Sequence, residues 1–352
     1  MEFLFSNMPP LRTPFPSFCD KFCELFKCSN ALDIAVGYVT TDSLAELQGL
    51  MDKNDNMNQL QLIIGMHYFD KFTKPEYEAS LELNKYLKNG NRGSVRLVTP
   101  FKFHGKMYSF RDNQGRFAGI MGSNNLSSII DGGARTYESA VVLNDSGDAA
   151  QMSSFIKRLT VSSTSCLDEL EITDFRPVNK LLEGQEGARK ATAEEIAFAS
   201  SCKGVSFEIP IKTDEEAPKS NLNAFFGKGR LSVSTGLIKP RHWYEVELIV
   251  PREITSQNGY PVSQSDDAIF DVITDDGWCF KCKVSGDCSK NFRSADDLKI
   301  LGRWLKGRLE NKGALKTGRP VTADTMQKYG RSTFTMKKTS KPGLWYLDFG
   351  VE

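Results

Sequence analysis

A chain of 352 residues with 40% hydrophobic and 25% charged side chains is long enough for two domains, each with its own core, and has the composition of a soluble globular protein. No apolar run approaches the roughly 20 residues that span a bilayer, which excludes a membrane-spanning helix. A net charge of +1 excludes a strongly polybasic or polyacidic protein, although residues from 201 onward carry 24 Lys and Arg against 19 Asp and Glu.

The opening "MEFLFSNMPPLRTPFPSF" has no basic n-region followed by a long apolar stretch, so it is not read as a secretory leader and the expected location is cytoplasmic. The eight cysteines then read as reduced thiols. "ALDIAVGYVT" reads as a buried strand, and "TTDSLAELQGLM" as a helix capped by Thr41 or Asp42 with Leu44, Leu47 and Leu50 on one face. "LQLIIGM" is a second buried strand. "PEYEASLELNKYLKN" follows as a helix with Tyr77, Leu81, Leu83 and Leu87 apolar, and "SVRLVT" is a third strand. This alternation predicts a largely parallel sheet flanked by helices.

From Phe103 strand follows strand: "KMYSF", "RFAGIMG" and "YESAVVLN", with "DNQG" as a hairpin turn, and then a helix in "SGDAAQMSSFIKRLTVSS". Residues 176–200 lose apolar periodicity and gather Pro, Gly and charge, the composition of a linker between a domain at 1–175 and another at 201–352. The second domain is a series of short β-rich runs: "VSFEIPI", "WYEVELIVP", "AIFDVITDDG", "WCFKCKV", "STFTMKK" and "LWYLDFG". Two short helices interrupt them, capped by Ser294 and Thr322, and the pattern predicts an open or closed β-barrel. In "WCFKCKV" the strand period sends Cys279 and Cys282 to opposite faces, so the pair is read as strand and not as a metal site.

The chemistry concentrates between residues 101 and 138. His104 and Lys106, two apart in a β-pattern, are expected to leave one face of a strand. A histidine can attack phosphorus near neutral pH, and an adjacent cation holds the anion. Gly122, Ser123 and Asn125 follow the next buried strand, where the glycine permits a tight exit that aims a hydroxyl and a carboxamide at the same anion. Glu138 opens the strand after that, placed to accept a hydrogen bond from an imidazole.

These motifs, "HGK", "GSNN" and "YES", resemble the phospholipase D superfamily, whose signature is HxK, then GSxN, then a Glu or Asn one strand later. The resemblance implies His104 as nucleophile, Lys106 and Asn125 as phosphate binders, Ser123 as a supporting donor and Glu138 as the partner of the imidazole. Where the family often has Asp five residues after the lysine, this chain has Arg111, with Asp112 one step later. The reaction needs one histidine to attack and another to protonate the leaving oxygen, and only one HxK is present; neither His67 nor His242 has a lysine two residues on. The expectation is a homodimer through the nuclease domain, sharing one centre, with no metal and no other cofactor.

"KSNLNAFFGKGR" and "SGDCSKNFRSADD" are polar, basic loops rich in the side chains that pair with base edges and phosphates. Together with "WYEVELIVP", "FDVITDDGWCFKCKV", "LGRWLKGRLE", "MQKYGRSTF" and "YLDFG" they resemble the C-terminal domain of restriction endonucleases of the NgoFVII and BfiI type. That family joins a phospholipase-D-like nuclease to a pseudobarrel like the plant B-three domain, which grips DNA between two arms. The implied fold is an α/β nuclease domain, a mixed sheet flanked by helices, followed by an all-β pseudobarrel with two short helices. The implied DNA contacts are Lys219, Ser220, Asn221, Asn223, Lys228 and Arg230 on one arm, and Ser285, Asp287, Lys290, Asn291 and Arg293 on the other. Where the family tends to read Gly-Leu-Asn-Trp-Gly, this chain has Asn221-Leu222-Asn223-Ala224-Phe225, so base preference does not transfer.

The function so implied is a type II restriction endonuclease that hydrolyses double-stranded DNA through a phosphohistidine, with a cognate methyltransferase or accessory restriction subunits as further partners. A phosphodiesterase acting on another substrate predicts a lipid-facing amphipathic segment and two HxK motifs, neither of which is seen. A catalytically silent DNA-binding regulator has no need of His104, Lys106, Asn125 and Glu138 together.

Overall fold

The computed structural model describes residues 2–130, 136–178, 180–213, 222–265 and 268–351. They divide into two units, one of Met1–Val178 with Gly229–Pro240, the other of Asn179–Lys228 with Arg241–Glu352.

The first unit begins with β1 (Glu2–Phe5), α1 (Phe18–Cys28), β2 (Ala31–Val36), α2 (Thr41–Lys53) and β3 (Gln59–Ile64). It continues with α3 (His67–Asp70), α4 (Lys74–Asn89), β4 (Gly93–Val98), β5 (Met107–Arg111), β6 (Phe117–Gly122), β7 (Ser139–Leu143), α5 (Ser146–Ser163) and β8 (Thr164–Cys166). The strands form one eight-stranded sheet in the order β1-β7-β6-β5-β2-β3-β4-β8. Strands β2, β3 and β4 run parallel, and the remaining pairings are antiparallel, so the sheet is mixed.

The parallel strands are buried on both faces, which explains their unbroken apolar runs. Leu32, Ile34 and Val36 enter the large core with α1, α2 and α4, while Ala35, Ile63 and Val98 pack under Met152, Ile156 and Leu159 of α5. Helix α1 was not among the expected elements. Its Phe18, Phe22 and Phe26 follow a four-residue spacing, and the Phe22 ring meets Phe110 edge-on at 5.5 Å. Helix α2 is capped by Thr40, not by Thr41 or Asp42, with Ser43 returning the bond to the Thr40 backbone. Thr73 and Glu76 make the same reciprocal cap on α4, a motif that contributes about 1 kcal/mol.

The second unit holds β9 (Ala188–Lys190), α6 (Ala193–Ser201) and β10 (Ser206–Pro210). The short ribbon β11 (Arg230–Leu231) and β12 (Ile238–Lys239) belongs to the first unit, where Asn54 exchanges two hydrogen bonds with the Ile238 backbone. Then come β13 (Leu248–Ile249), α7 (Arg252–Thr255), β14 (Ile269–Thr274), β15 (Trp278–Ser285), β16 (Asn291–Ser294), α8 (Lys299–Asn311), α9 (Ala323–Tyr329), β17 (Thr333–Lys338) and β18 (Leu344–Asp348). The sheet order is β10-β17-β18-β14-β15-β16-β13, with β9 on the start of β15. This curled sheet closes over Trp304 of α8, with Phe280, Phe334 and Phe349 around its ring.

Residues 188–190 and 193–200, read from the sequence as part of a linker, lie in β9 and α6 of this unit. Strand β9 pairs with Trp278–Phe280, and Ala199 of α6 packs on Ile273 and Cys279. Cys282 is fully buried and Cys279 lies beneath α6, so both faces of β15 are covered where those thiols stand. The strand expected at "WYEVELIVP" shrinks to Leu248–Ile249, because Trp243, Tyr244 and Val246 go into the core instead of alternating. Ser294 does not cap α8. Its hydroxyl donates to the Asp297 carbonyl at 2.6 Å and accepts from Leu301 N–H at 3.2 Å, tying down the turn before the helix. Thr322 caps α9 as expected.

Candidate active site and DNA-contacting residues

Strand pairing brings the candidate catalytic residues to one edge of the first unit's sheet. Ala35 opposes Met107, Met107 opposes Met121, and Gly122 opposes Ala140. The exit of β2, the entry of β5, the exit of β6 and the entry of β7 therefore lie side by side. They carry in turn Gly37, His104 to Lys106, Gly122 to Asn125, and Glu138.

The expected strand does not reach His104 and Lys106, since β5 starts only at Met107. His104 stands exposed, while Lys106 is buried and turns its Nζ onto the His104 carbonyl at 2.7 Å. A buried ammonium needs such an acceptor. Burial pushes the Lys106 ammonium below the usual lysine value, and the nearby Glu138 carboxylate works against that shift. The Lys106 charge is thus held beside both the histidine and the glutamate, with donors left for an anion.

Gly37 forms the floor under His104 and Asn125. A Cβ there would lie 3.0 Å from His104 Cδ2 and 3.6 Å from Asn125 Oδ1. The Asn125 carboxamide oxygen accepts the Tyr38 N–H at 3.1 Å, which leaves its NH2 as the end available to an anion. Ser123 has a different task from the expected one. Its hydroxyl donates to the Ser139 carbonyl and accepts the Ser139 N–H at 3.0 Å, locking the exit of β6 to the entry of β7 next to Glu138. Gly122 permits this approach, since a Cβ would come within 2.3 Å of the Ser139 carbonyl oxygen. On the other side, the Glu138 backbone is held by Ser6, whose hydroxyl accepts its N–H at 2.9 Å. Asp112, the departure from the family pattern, organises the β5–β6 turn by accepting from Gln114 and Arg116 N–H at 2.9 Å.

The other two histidines have structural partners. His67 is buried, with Nε2 accepting the Val39 N–H and Nδ1 facing the Lys71 carbonyl, both at 3.2 Å, and burial holds its pKa below the usual histidine value. That arrangement fixes a neutral tautomer. His242 Nδ1 accepts the Tyr244 N–H at 3.1 Å. Among the described residues, no three His, Cys, Asp or Glu gather as a metal site, and no helix is long and apolar enough to cross a membrane.

Sequence reasoning did not single out Gly65. A Cβ at that position would lie 2.0 Å from the Phe103 carbonyl oxygen, and Phe103 N–H donates to the Gly65 carbonyl at 3.1 Å. The segment that delivers His104 thus rests on a bare backbone. Gly65→Ala is expected to push it outward and to lower single-turnover DNA cleavage about 100-fold, the scale of a 1 Å misplacement, while gel-shift affinity for DNA is retained.

Of the residues expected on the two arms, Lys219, Ser220 and Asn221 lie outside the described residues. Asn223 is a correction. It is buried, and its carboxamide donates to the Val321 carbonyl and accepts the Val321 N–H, both at 2.8 Å, so it anchors the arm's base and offers no edge to a nucleotide. Lys228 is exposed, and Arg230 is exposed on β11 within the first unit. The residues expected on the other arm lie in the tight β15–β16 connection, where Gly286, Cys288 and Ser289 all have φ between 56° and 75°. Ser289 accepts the Ser263 N–H at 2.8 Å, and the Lys290 carbonyl accepts Val250 N–H at 2.8 Å. So pinned, the loop presents Asp287 and Lys290 to solvent, with Ser285 and Asn291 half-buried at its two ends. Arg293 pairs with Glu247 at 3.4 Å. Lys283, opposite Arg293 in the β15–β16 register, was not among the expected contacts, although the alternation of "CFKCK" already placed it on the outward face.

Two family models match. Residues 18–173 match the NgoFVII restriction endonuclease N-terminal PLD domain, and residues 197–340 match the NgoFVII C-terminal B3-like DNA-binding domain. No curated protein matches the sequence. Among solved structures, the phosphatidylserine synthase of Haemophilus influenzae matches at 16% identity and a TM-score of 0.35, over 48% of this chain and 41% of that one.

Proposed function

Since the chain belongs to the NgoFVII family of restriction endonucleases, pairing a phospholipase-D-superfamily nuclease domain with a B3-like DNA-binding domain, we propose that it cuts double-stranded DNA at specific sites through a covalent phosphohistidine. The observation that carries this reading is the shared edge on which an exposed His104 meets the oriented carboxamide of Asn125, the Lys106 ammonium and Glu138.

An imidazole nitrogen of His104 attacks phosphorus, and the bond to the leaving deoxyribose oxygen breaks. That oxygen takes a proton from a second histidine. Water then attacks the phosphohistidine, giving its proton back to the second histidine, and His104 is released with a phosphate-ended strand. Lys106 and Asn125 spread the charge of the pentacoordinate phosphorus, and Glu138 steadies the imidazolium. His67 and His242 are engaged in the fold, which supports a second copy of the chain as the source of the other histidine. The second unit is proposed to supply DNA recognition, with Lys228, Ser285, Asp287, Lys290, Asn291 and Arg293 the candidates for contact among its described residues. A cognate methyltransferase that protects host sites belongs to the same proposal.

The test is incubation with unmethylated plasmid in EDTA, followed by sequencing of the ends. Discrete ends at a recurring sequence are expected at full rate. Cleavage that disappears with chelation and returns with magnesium overturns the mechanism.

A further inference from the structure

We infer that Tyr38 is a positioning residue for both the nucleophile and the phosphate clamp, an inference that rests on the roles of His104 and Asn125 proposed above. Tyr38 follows Gly37 at the exit of β2 and makes three contacts that converge on the site.

The first is through its backbone. Its N–H fixes the carboxamide oxygen of Asn125 at 3.1 Å, so the amide cannot turn over without setting N–H against N–H. The second is through its ring, which meets both His104, at 5.8 Å and 77°, and His67, at 5.4 Å and 86°. His67 is itself immobile, stacked on Phe72 at 4.3 Å and bonded to backbone through both nitrogens. The Tyr38 ring therefore transmits a fixed wall to the exposed imidazole. An exposed histidine without such support is free to rotate about two side-chain bonds, and attack on phosphorus needs one aligned rotamer.

The third contact closes the arrangement. The Tyr38 hydroxyl donates to Asp70 Oδ2 at 2.6 Å, and Asp70 Oδ1 accepts from Lys102 Nζ at 2.6 Å. Lys102 and Tyr38 hold the Asp70 carboxyl below its usual range, so it stays an acceptor throughout neutral pH, and the bond to Asp70 pushes the Tyr38 phenol up, so it stays a donor. Lys102 lies two residues before His104, which ties the loop bearing the nucleophile to the element bearing its wall.

Cleavage by the full-length protein, measured in single turnover across pH, tests the inference with Tyr38→Leu, Tyr38→Phe, Asp70→Ala and His104→Ala. Tyr38→Leu is expected to lower the single-turnover rate about 10- to 100-fold with the half-saturating concentration within a few-fold of wild type, and to change the pH profile of that rate. Tyr38→Phe keeps the wall and should recover most of the rate. Tyr38→Phe removes the bond to Asp70, a loss of roughly a few-fold, and Asp70→Ala removes that bond together with the Lys102 tie, so the double variant should be no worse than Asp70→Ala alone. That non-additivity is read even if Tyr38→Leu fails to fold, and additive losses in the double variant overturn the inference. So does a Tyr38→Leu protein with wild-type single-turnover rate and pH profile beside an inactive His104→Ala. An active His104→Ala overturns the site reading itself, and the positioning role with it.

Discussion

Replacing His104 by alanine is expected to lower single-turnover cleavage by about 10⁴-fold or more while leaving DNA affinity within a few-fold of wild type. The size follows from what the side chain does alone. His104 is the exposed imidazole over Gly37, and its other neighbours bind or orient but do not attack: Lys106 spends one donor on the His104 carbonyl, and Asn125 is turned by Tyr38. Removing the proposed nucleophile leaves the proposed clamp and the DNA-binding unit in place, so binding is expected to survive. Lys106→Met and Asn125→Ala remove one stabilising donor each, for which about 10²- to 10³-fold is the scale. The proposed covalent step adds a second readout. Acid-quenched wild-type reactions should carry DNA phosphate on the protein, and His104→Ala should carry none. A variant that cuts within tenfold of wild type, or that still forms the adduct, removes His104 from the nucleophile's place.

How much of this was readable beforehand differs from residue to residue. His104, Lys106, Asn125 and Glu138 lie in short local patterns whose spacing survives folding, so the sequence alone singled them out. Their local geometry did not follow from spacing. A strand period predicts that His104 and Lys106 leave one face, but the chain is not yet a strand there, and the need of a buried ammonium for an acceptor turns Lys106 onto the His104 carbonyl. Gly37, Gly65 and Tyr38 were silent because their roles are tertiary: each matters through a segment distant in sequence that passes within van der Waals contact. The alternating strands of the second unit were legible from period two. Asn223 misled because an asparagine suits a base edge and a buried Val321 backbone equally well, and only packing decides between them. Residues 188–200 misled for a related reason, since a short strand and a nine-residue helix supported by a sheet face need little periodicity of their own.

The largest stability effect is expected in the second unit, where Glu310→Ala should cost about 3–5 kcal/mol, a large part of an ordinary domain's stability. Glu310 is buried on α8 and accepts from Trp243 Nε1, the Tyr244 hydroxyl and the Thr317 hydroxyl, each at 2.7 Å. One turn earlier Lys306, fully buried, donates to the Trp243 carbonyl at 2.6 Å and lies 3.8 Å over the Trp243 ring. Alanine strands three donors and removes the carboxylate that helps hold a proton on buried Lys306. Burial pushes the Lys306 ammonium down to about 7, with Glu310 pulling it back up. Its folded pKa therefore lies below the usual 10.5, so the native state binds fewer protons between those values. The sign is definite: the contribution of Lys306 is fully present above 10.5 and is lost as pH falls toward 7. Urea melts should show the rise in stability between those limits in wild type, and Lys306→Met should lack it. The consequence reaches the segment proposed as the first recognition arm, because Phe225 and Phe226 within it pack edge-on against Trp243 at 5.4 and 6.2 Å. Loosening Trp243 loosens that segment. Glu310→Ala should therefore lose specific DNA affinity at temperatures below its own melting transition, whereas Glu310→Gln, which keeps an acceptor for one or two of the three donors, should fall between. Full affinity in a folded Glu310→Ala protein would separate the arm from the buried network.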